Sequence, residues 1–398
     1  MATLMITQRF PPHAGAAARR LAHLAQIFAR EGEVFVIRSG ADGADDPAVT
    51  ATFNLPRQDL RQLSAGTGST VDARTKQRPL VRALLRLRQA YPFVYLTDDG
   101  GPAYRKKALA LAVELVETRQ VDTIFSSFRP WTDHLVARQL KQQFPELKWV
   151  ADFRDLPVDL VRNDVWFPAL QRWWGKRILA DATEVWTVSE GQKAQLAGWH
   201  PNLRVRYNAL LSLPPERSAP VSDRFTIAYT GSLYPHLQTM DALVNALREL
   251  ITEGQIPPDK VCLQYRGKEA GVFESWTRGL PPHCLDVKPS IAPAAAQKMQ
   301  YTATILLLLN WSASGYYGVL TAKLWDYLAT GRPILALVNG PGDQELKDII
   351  LGADAGAVFE TKEQGAVKAW LLTQYQRWET EGVLPWQPNR EALKRYLT

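Results

Sequence analysis

Residues 310–337 read N-W-S-A-S-G-Y-Y-G-V-L-T-A-K-L-W-D-Y-L-A-T-G-R-P-I-L-A-L, and this stretch decides how the rest of the chain is read. The aliphatic run before it, 303–309, has the length of a buried strand. A loop with glycines at 315 and 318 follows, then an expected helix over 319–330 that Gly331 closes, and Pro333 opens the next strand. The first amides of a helix lack intrahelical acceptors and sit at the positive end of its dipole, so those of Gly318, Val319 and Leu320 suit a phosphate. Asp326 lies about two turns in, where a carboxylate can accept both hydroxyls of a ribose. Lys323, on the same face, is placed either to meet phosphate or to pair with Asp326. A plain buried βαβ unit has the same pattern; agreement of glycine loop, helix start and carboxylate favours a ligand site.

The strand-helix alternation continues on both sides. Strands are expected at 2–7, 34–37, 121–126, 147–152 and 184–188, with helices at 14–30, 130–143, 168–180 and one opening at Ser189-Glu190. Residues 211–223 are rich in Pro and Ser without periodicity and read as a linker. The pattern restarts with strands at 225–230, 261–265 and 303–309 and a helix at 240–252. With 398 residues, 46% of them hydrophobic, the chain exceeds one ordinary core. The expectation is an α/β protein of two Rossmann-like, doubly wound domains facing a cleft, 1–210 and 224–380, with a terminal segment 381–398. Residues 39–68, rich in Gly, Asp and Thr, are expected to be an insertion without regular structure.

Cys262 and Cys284 lie in apolar, strand-like runs without C-x-x-C spacing, and read as buried reduced thiols. The start M-A-T-L-M-I-T lacks the basic, apolar pattern of a signal peptide, and the aliphatic run 305–309 is too short to cross a bilayer. A cytoplasmic, non-spanning protein is therefore expected. A net charge of +7 permits nucleic acid, anionic lipid or a phosphorylated ligand as partner.

Four further constellations sit at strand exits. Pro11-Pro12-His13-Ala14-Gly15-Ala16-Ala17-Ala18-Arg19 opens the first helix with small residues; Gly15 lets backbone approach a ligand and Arg19 is a candidate anion partner. W-V-A-D-F-R-D-L-P places Asp152, Arg154 and Asp155 just past a parallel strand, where they can orient acceptor hydroxyls, steady a leaving phosphate, or simply tie the loop down. His134 sits on a helix beside an apolar face, as a substrate contact or a packed histidine. F-T-I-A-Y-T-G-S-L-Y brings Gly231 and Ser232 to a strand end, and Y-R-G-K does the same for Arg266, Gly267 and Lys268.

These motifs together resemble the nucleotide-sugar-dependent glycosyltransferases of the GT-B fold, in the large retaining family with two glutamates seven residues apart. Some branches carry a variant resembling P-x-K-x-x-E-Y-x-A-x-G-x-P, which this chain matches at Lys323, Tyr327, Ala329, Gly331 and Pro333. Asp326 takes the place of the ribose-binding glutamate, and Gly318 stands where the glutamate associated with the transferred sugar is expected. The segment around Gly15 resembles the P-x-x-G-G-x-x-x-R loop, with Ala16 for the second glycine. The turn at Gly231 resembles the Y-x-G-x-L start of the donor domain, but Ser232, Leu233, Tyr234, Pro235 and His236 lack the family's phosphate-gripping Arg and Lys, for which Arg266, Lys268 or Lys323 can compensate. D-F-R-D resembles an acceptor-domain segment of one branch.

The resemblance implies a transferase moving a sugar from a nucleotide-diphosphate sugar to an acceptor hydroxyl with retention, in polysaccharide or glycolipid assembly. It implies a terminal helix, 389–397, that crosses back to the first domain. No cofactor is implied, the nucleotide sugar being a co-substrate. No metal is implied either, since a helix end supplies the charge and the D-D-G-G turn at Asp98-Asp99 lacks D-x-D spacing. Two basic segments, the Arg78, Arg82, Arg86 face and W-F-P-A-L-Q-R-W-W-G-K-R, can hold the chain at the inner face of a membrane near a lipid-linked acceptor, or are solvated helix faces. Without a recognised module the basic face gives no nucleic-acid partner. The rivals are a GT-B-shaped epimerase or inverting transferase using Asp152 or Asp155 as base, and a non-catalytic protein whose donor site has degenerated.

Overall fold

The computed structural model describes residues 1–13, 15–40, 46–56, 87, 92–93, 101–159, 161, 165–216 and 223–397. The chain divides into two units, Met1–Tyr207 and Asn208–Thr398. The Arg78, Arg82, Arg86 face and the Asp98-Asp99 turn lie outside the described residues.

In the first unit the elements run β1 (Ala2–Ile6), α1 (Ala16–Ala29), β2 (Glu33–Ser39), β3 (Ala51–Leu55), α2 (Gly101–Arg119), β4 (Thr123–Phe128), α3 (Trp131–Gln143), β5 (Lys148–Phe153), α4 (Pro168–Leu179), β6 (Glu184–Thr187), α5 (Glu190–Gln195) and β7 (Leu203–Val205). The strands lie in the order β3-β2-β1-β4-β5-β6-β7, every pair parallel. A-T-L-M-I and V-F-V-I-R-S are buried throughout, as strands covered on both faces must be. Phe28 of α1 stacks on Trp186 at 6.1 Å, and Phe125 tilts against both. The direction of winding reverses between β1 and β4.

The second unit runs β8 (Phe225–Thr230), α6 (Asp241–Thr252), β9 (Val261–Arg266), α7 (Ala270–Trp276), β10 (Leu285–Lys288), α8 (Pro293–Thr302), β11 (Ile305–Trp311), α9 (Ala322–Leu328), β12 (Ile334–Asn339), α10 (Gln344–Gly352), β13 (Gly356–Glu360), α11 (Gln364–Glu381) and α12 (Arg390–Lys394). Its parallel sheet is ordered β10-β9-β8-β11-β12-β13 and reverses between β8 and β11. A register running from Leu306↔Ile334 to Trp311↔Asn339 joins β11 to β12, the two strands flanking the glycine loop and α9.

Three expectations change. Residues 39–68 contain a strand, β3, paired from Phe35↔Ala51 to Ser39↔Leu55. The helix expected at 319–330 is α9, Ala322–Leu328; ahead of it the Gly318 and Val319 amides turn to the Asp343 carboxylate. The terminal segment belongs to the second unit: the Leu210 amide donates to the Tyr396 carbonyl at 3.1 Å, and Tyr396 packs on Trp325 at 5.2 Å.

Candidate functional site

Open parallel sheets take ligands at the carboxyl ends of the strands where the winding reverses. In the second unit that place is the exit of β8 and β11. β8 ends in the turn Thr230-Gly231-Ser232, where Gly231 has φ 104°, a conformation that costs a side chain dearly. The turn is pinned by aromatic hydroxyls: Tyr229 Oη donates to the Ser232 carbonyl at 2.8 Å, and Tyr265 Oη lies 3.1 Å from the Gly231 carbonyl. Tyr265 also accepts the Glu269 amide at 3.1 Å, while Glu269 Oε2 accepts the Leu233 amide at 3.1 Å. A Cβ on Gly267 would stand 2.1 Å from Tyr265 Oη and 2.3 Å from the Gly231 carbonyl, so glycine is required where β9 exits beside β8.

Lys323 of α9 reaches this turn. Its Nζ donates to Tyr229 Oη at 3.0 Å and to the Ser232 carbonyl at 3.4 Å, and stands 4.7 Å from the Tyr229 ring centroid. Burial pushes the amine down to about 8, against the pull of Glu269 and Asp326. Asp326 follows about one turn later on α9, half-buried. Gly231, Ser232, Lys323 and Asp326 are thus brought together, with an ammonium held over a glycine turn and a carboxylate beside it.

Several residues expected at the phosphate have partners within the protein or are buried. The Gly318 amide donates to Asp343 Oδ2 at 2.8 Å, and the Val319 amide also faces that carboxylate, so both are already satisfied from within the protein. Leu320 is buried at 5% exposure. Asp343 in addition caps α10 through the Leu346 amide at 3.1 Å. Arg266 turns sideways along the sheet, donating to the Asp286 carbonyl at 2.7 Å and to Asp286 Oδ2 at 2.5 Å. That pair holds the Asp286 carboxyl below its usual range and leaves Arg266 a β9–β10 tie rather than a grip on ligand.

A cavity of about 500 Å³ opens at the exits of β11, β12 and β13, lined in part by Tyr317, Asp343, Lys347, Glu360 and Glu363. It contains none of the expected donor-site residues, though Gly315 and Tyr317 of the loop before Gly318 line it and Asp343 ties that loop to it. Among the described residues no group of His, Cys, Asp and Glu gathers as a metal-binding cluster.

In the first unit, Asp152 at the end of β5 is fully buried. It receives Arg20 Nη2 at 2.6 Å and Ser127 Oγ at 2.9 Å, and Arg20 goes on to donate to the carbonyls of Arg206 and Tyr207. A carboxylate so enclosed holds the sheet end together and is not placed to take a substrate proton. The inward-turning arginine of α1 is Arg20; Arg19 is exposed, and Gly15 stands at the helix N-cap with φ 113°. His134 is also core: its Nδ1 is 2.7 Å from Ser126 Oγ, Phe153 packs on it at 4.8 Å, and burial pushes it down to about 3. Arg154 and Asp155 are half-buried, 3.5 Å apart, with Arg154 lowered by burial and by Arg9 and Arg129 nearby.

No protein-family model matches this chain, and no curated protein matches it. Solved structures do, over nearly its whole length. A variant of S. aureus TarM in complex with fondaparinux, α-GlcNAc-glycerol and UDP is 8% identical with a TM-score of 0.56, covering 99% of this chain and 96% of that one. An E. coli structure described as trehalose-6-phosphate bound with UDP-2-fluoro glucose is 12% identical with a TM-score of 0.56, covering 100% and 94%. Trehalose-6-phosphate synthase, studied for glycosyl transfer with retention, is 12% identical with a TM-score of 0.52, covering 95% and 91%. Identities this low speak to fold. The fold is GT-B.

Within the GT-B fold, the residues that the sequence reading missed are those whose partners are far away in the chain. Tyr265 and Glu269 shape the glycine turn across 34 and 36 positions of sequence, Tyr229 meets Lys323 across 94, and Asp343 reaches Gly318 across 25. Asp343 carried a local signal, an Asx cap three residues before Leu346, that could have found the cap but not its second use. Arg9, before α1, carried none.

Proposed function

We propose that this chain is a nucleotide-sugar-dependent glycosyltransferase in which the second unit takes the donor and the first the acceptor. The observation that carries the reading is Lys323 held over the Gly231 turn with Asp326 a turn behind it. In this reading the diphosphate lies against the turn and the start of α9, with Lys323 neutralising its charge, and Asp326 accepts the ribose hydroxyls. Transfer proceeds with retention: the departing diphosphate oxygen takes the acceptor's proton on the same sugar face, so the protein contributes positioning and charge stabilisation instead of a nucleophile. Asp152 and His134 have no role in proton transfer, and Arg154 with Asp155 orients the acceptor.

Assembly of a polysaccharide or glycolipid at a membrane's inner face agrees with one surface of the first unit. Trp166, Phe167, Leu170 and Trp173 are 41%, 56%, 44% and 50% exposed at α4 and its entry, beside exposed Lys176 and Arg177. Aromatic and aliphatic groups flanked by cations suit an anionic lipid surface. Among the described residues no helix is long and apolar enough to cross a membrane.

Titration calorimetry with uridine and guanosine diphosphate sugars tests the reading. Binding of one nucleotide class, weakened about tenfold or more by Asp326→Ala with the fold intact, is the expected result. Binding by none of them leaves a non-catalytic protein. A sugar nucleotide epimerised without acceptor replaces the transferase with an epimerase, and an inverted product anomer removes retention.

A further inference from the structure

The cavity of about 500 Å³ at the carboxyl ends of β11, β12 and β13 is lined by residues of the second unit and has the size of a small-ligand site. One wall is stiff. The Ala313 and Tyr316 amides each donate to the other residue's carbonyl at 2.9 Å, closing a Ser314-Gly315 turn in which Gly315 has φ 70°. Tyr317 follows that turn, 36% exposed, and Phe359 of β13 adds a second aromatic surface.

The charged groups suit a ligand that both donates and accepts. Lys347 of α10 shares the cavity with Asp343, Glu360 and Glu363, yet among the described residues its ammonium has no ion-pair or hydrogen-bond partner. Asp343 is committed to the Gly318 and Leu346 amides. Glu360 meets Lys362 through Oε2 at 2.7 Å, and Glu363 Oε2 accepts the Glu360 amide at 2.7 Å. The Oε1 atoms of both glutamates have no such partner among the described residues. A Cβ on Gly342 would stand 3.2 Å from Glu360 Oε1, so glycine at that position, with φ 98°, keeps the oxygen uncrowded.

Three carboxylates against one ammonium repel phosphates, which makes the cavity a poor place for a nucleotide. The open carboxylate oxygens call for donors, the ammonium calls for an acceptor, and the aromatic wall calls for an apolar face. A hydroxyl both donates and accepts, and a sugar ring carries several of them around faces made of C–H groups.

We propose that this cavity binds a saccharide unit without negative charge. Glu360 and Glu363 accept from its hydroxyls, Lys347 donates to one, and the ring packs on Tyr317. None of Gly231, Ser232, Lys323 and Asp326 lines the cavity, so where the chain also uses a nucleotide sugar, the saccharide held here is a second one.

Ligand-observed NMR and calorimetry on the full chain test this with glucose, N-acetylglucosamine, glucosamine, maltose and chitobiose, with glucuronate as the anionic counterpart of glucose and UDP as the probe of the donor site. At least one uncharged or amine-bearing sugar should bind with a dissociation constant on the order of millimolar, and glucuronate about tenfold more weakly or not at all. Tyr317→Ala and Glu360→Gln should each weaken sugar binding about tenfold, with UDP affinity and melting temperature unchanged. Saturating UDP and Asp326→Ala should both leave sugar binding unaltered. Failure of every sugar to bind overturns the proposal, as does wild-type sugar affinity in both variants or glucuronate binding as tight as that of the best neutral sugar. Competition between UDP and the sugar overturns it too, because the saccharide would then occupy the donor site. Sugar binding that depends on Tyr317 and Glu360 in a chain that takes no nucleotide sugar keeps this site and removes the transferase reading; nucleotide-sugar binding without it does the reverse.

Discussion

The Asp343 carboxylate accepts the Gly318 amide at 2.8 Å, tying the loop before α9 to the start of α10. One buried carboxylate thereby satisfies amides from two segments, Gly318 and Val319 on one side and Leu346 and Glu345 on the other. Burial raises its pKa while these amides lower it. Asp343→Ala leaves several buried N–H groups unpaired and should destabilise the protein by about 2–4 kcal/mol, read from urea unfolding. Asp343→Asn, which keeps an acceptor oxygen, should cost less than half as much. Equal losses would mean that the charge, not the acceptor, secures the loop.

Lys323 makes donor binding sensitive to alkali. Its amine titrates near 8, so it is charged below that pH and neutral above it. Nucleotide affinity should hold steady as pH approaches 8 and then fall by up to about tenfold per unit. Lys323→Arg, charged throughout, should remove the alkaline fall even where geometry lowers its absolute affinity. A wild-type profile flat across this range would show that Lys323 does not face the diphosphate.

Arg20 and Asp152 are a buried pair, 3% and 0% exposed, at 2.6 Å. Removing one partner strands the other's charge, so Asp152→Ala should cost about 3–5 kcal/mol of stability. Where the folded fraction is recovered at low temperature, its turnover per folded molecule should stay within about threefold of wild type, whereas loss of a proton-accepting group would cost 10²-fold or more. Turnover and stability measured on the same sample separate the two.

His134 should make stability acid-sensitive. Its folded pKa is lowered to about 3 from 6.5, so between these values the unfolded chain takes a proton that the folded one refuses. Its contribution is fully present above pH 6.5 and declines by about 1.4 kcal/mol per unit as pH falls toward 3. His134→Phe fits the same aromatic surroundings, loses the Ser126 hydrogen bond at a cost of about 1 kcal/mol near pH 7, and should flatten that decline. An unchanged slope would place the titrating group elsewhere.

The parallel sheets were legible because aliphatic runs such as I-L-L-L-L and V-F-V-I can only be buried strands between glycine and proline punctuation. β3, with its half-buried A-T-F-N-L, was not, since its pairing with β2 comes from tertiary contact and not from local pattern. The glycine turn and Lys323 could be read from composition and order. What Lys323 touches could not, and neither could the choice between Arg19 and Arg20, because one step along a helix turns a side chain by about 100° from surface to core. Arg266 and Asp152 misled for one reason: a charged residue at a strand exit looks alike whether it faces ligand or its neighbour.

The exposed face of α4 gives a membrane prediction independent of the donor site. Arg177 stacks over Trp173 at 5.2 Å from its centroid, so the cation and the apolar ring present one surface. Vesicles of phosphatidylcholine with phosphatidylglycerol should co-sediment the protein, and pure phosphatidylcholine should do so far less. Trp173→Ala with Phe167→Ala should weaken that binding about tenfold or more, as the loss of two buried aromatic groups implies, without lowering the melting temperature, since both rings are at least half exposed. Lys176→Gln with Arg177→Gln should reduce the dependence on anionic lipid instead. If the aromatic pair can be removed with no change in sedimentation, lipid contacts this protein elsewhere and the α4 face is ordinary solvated surface.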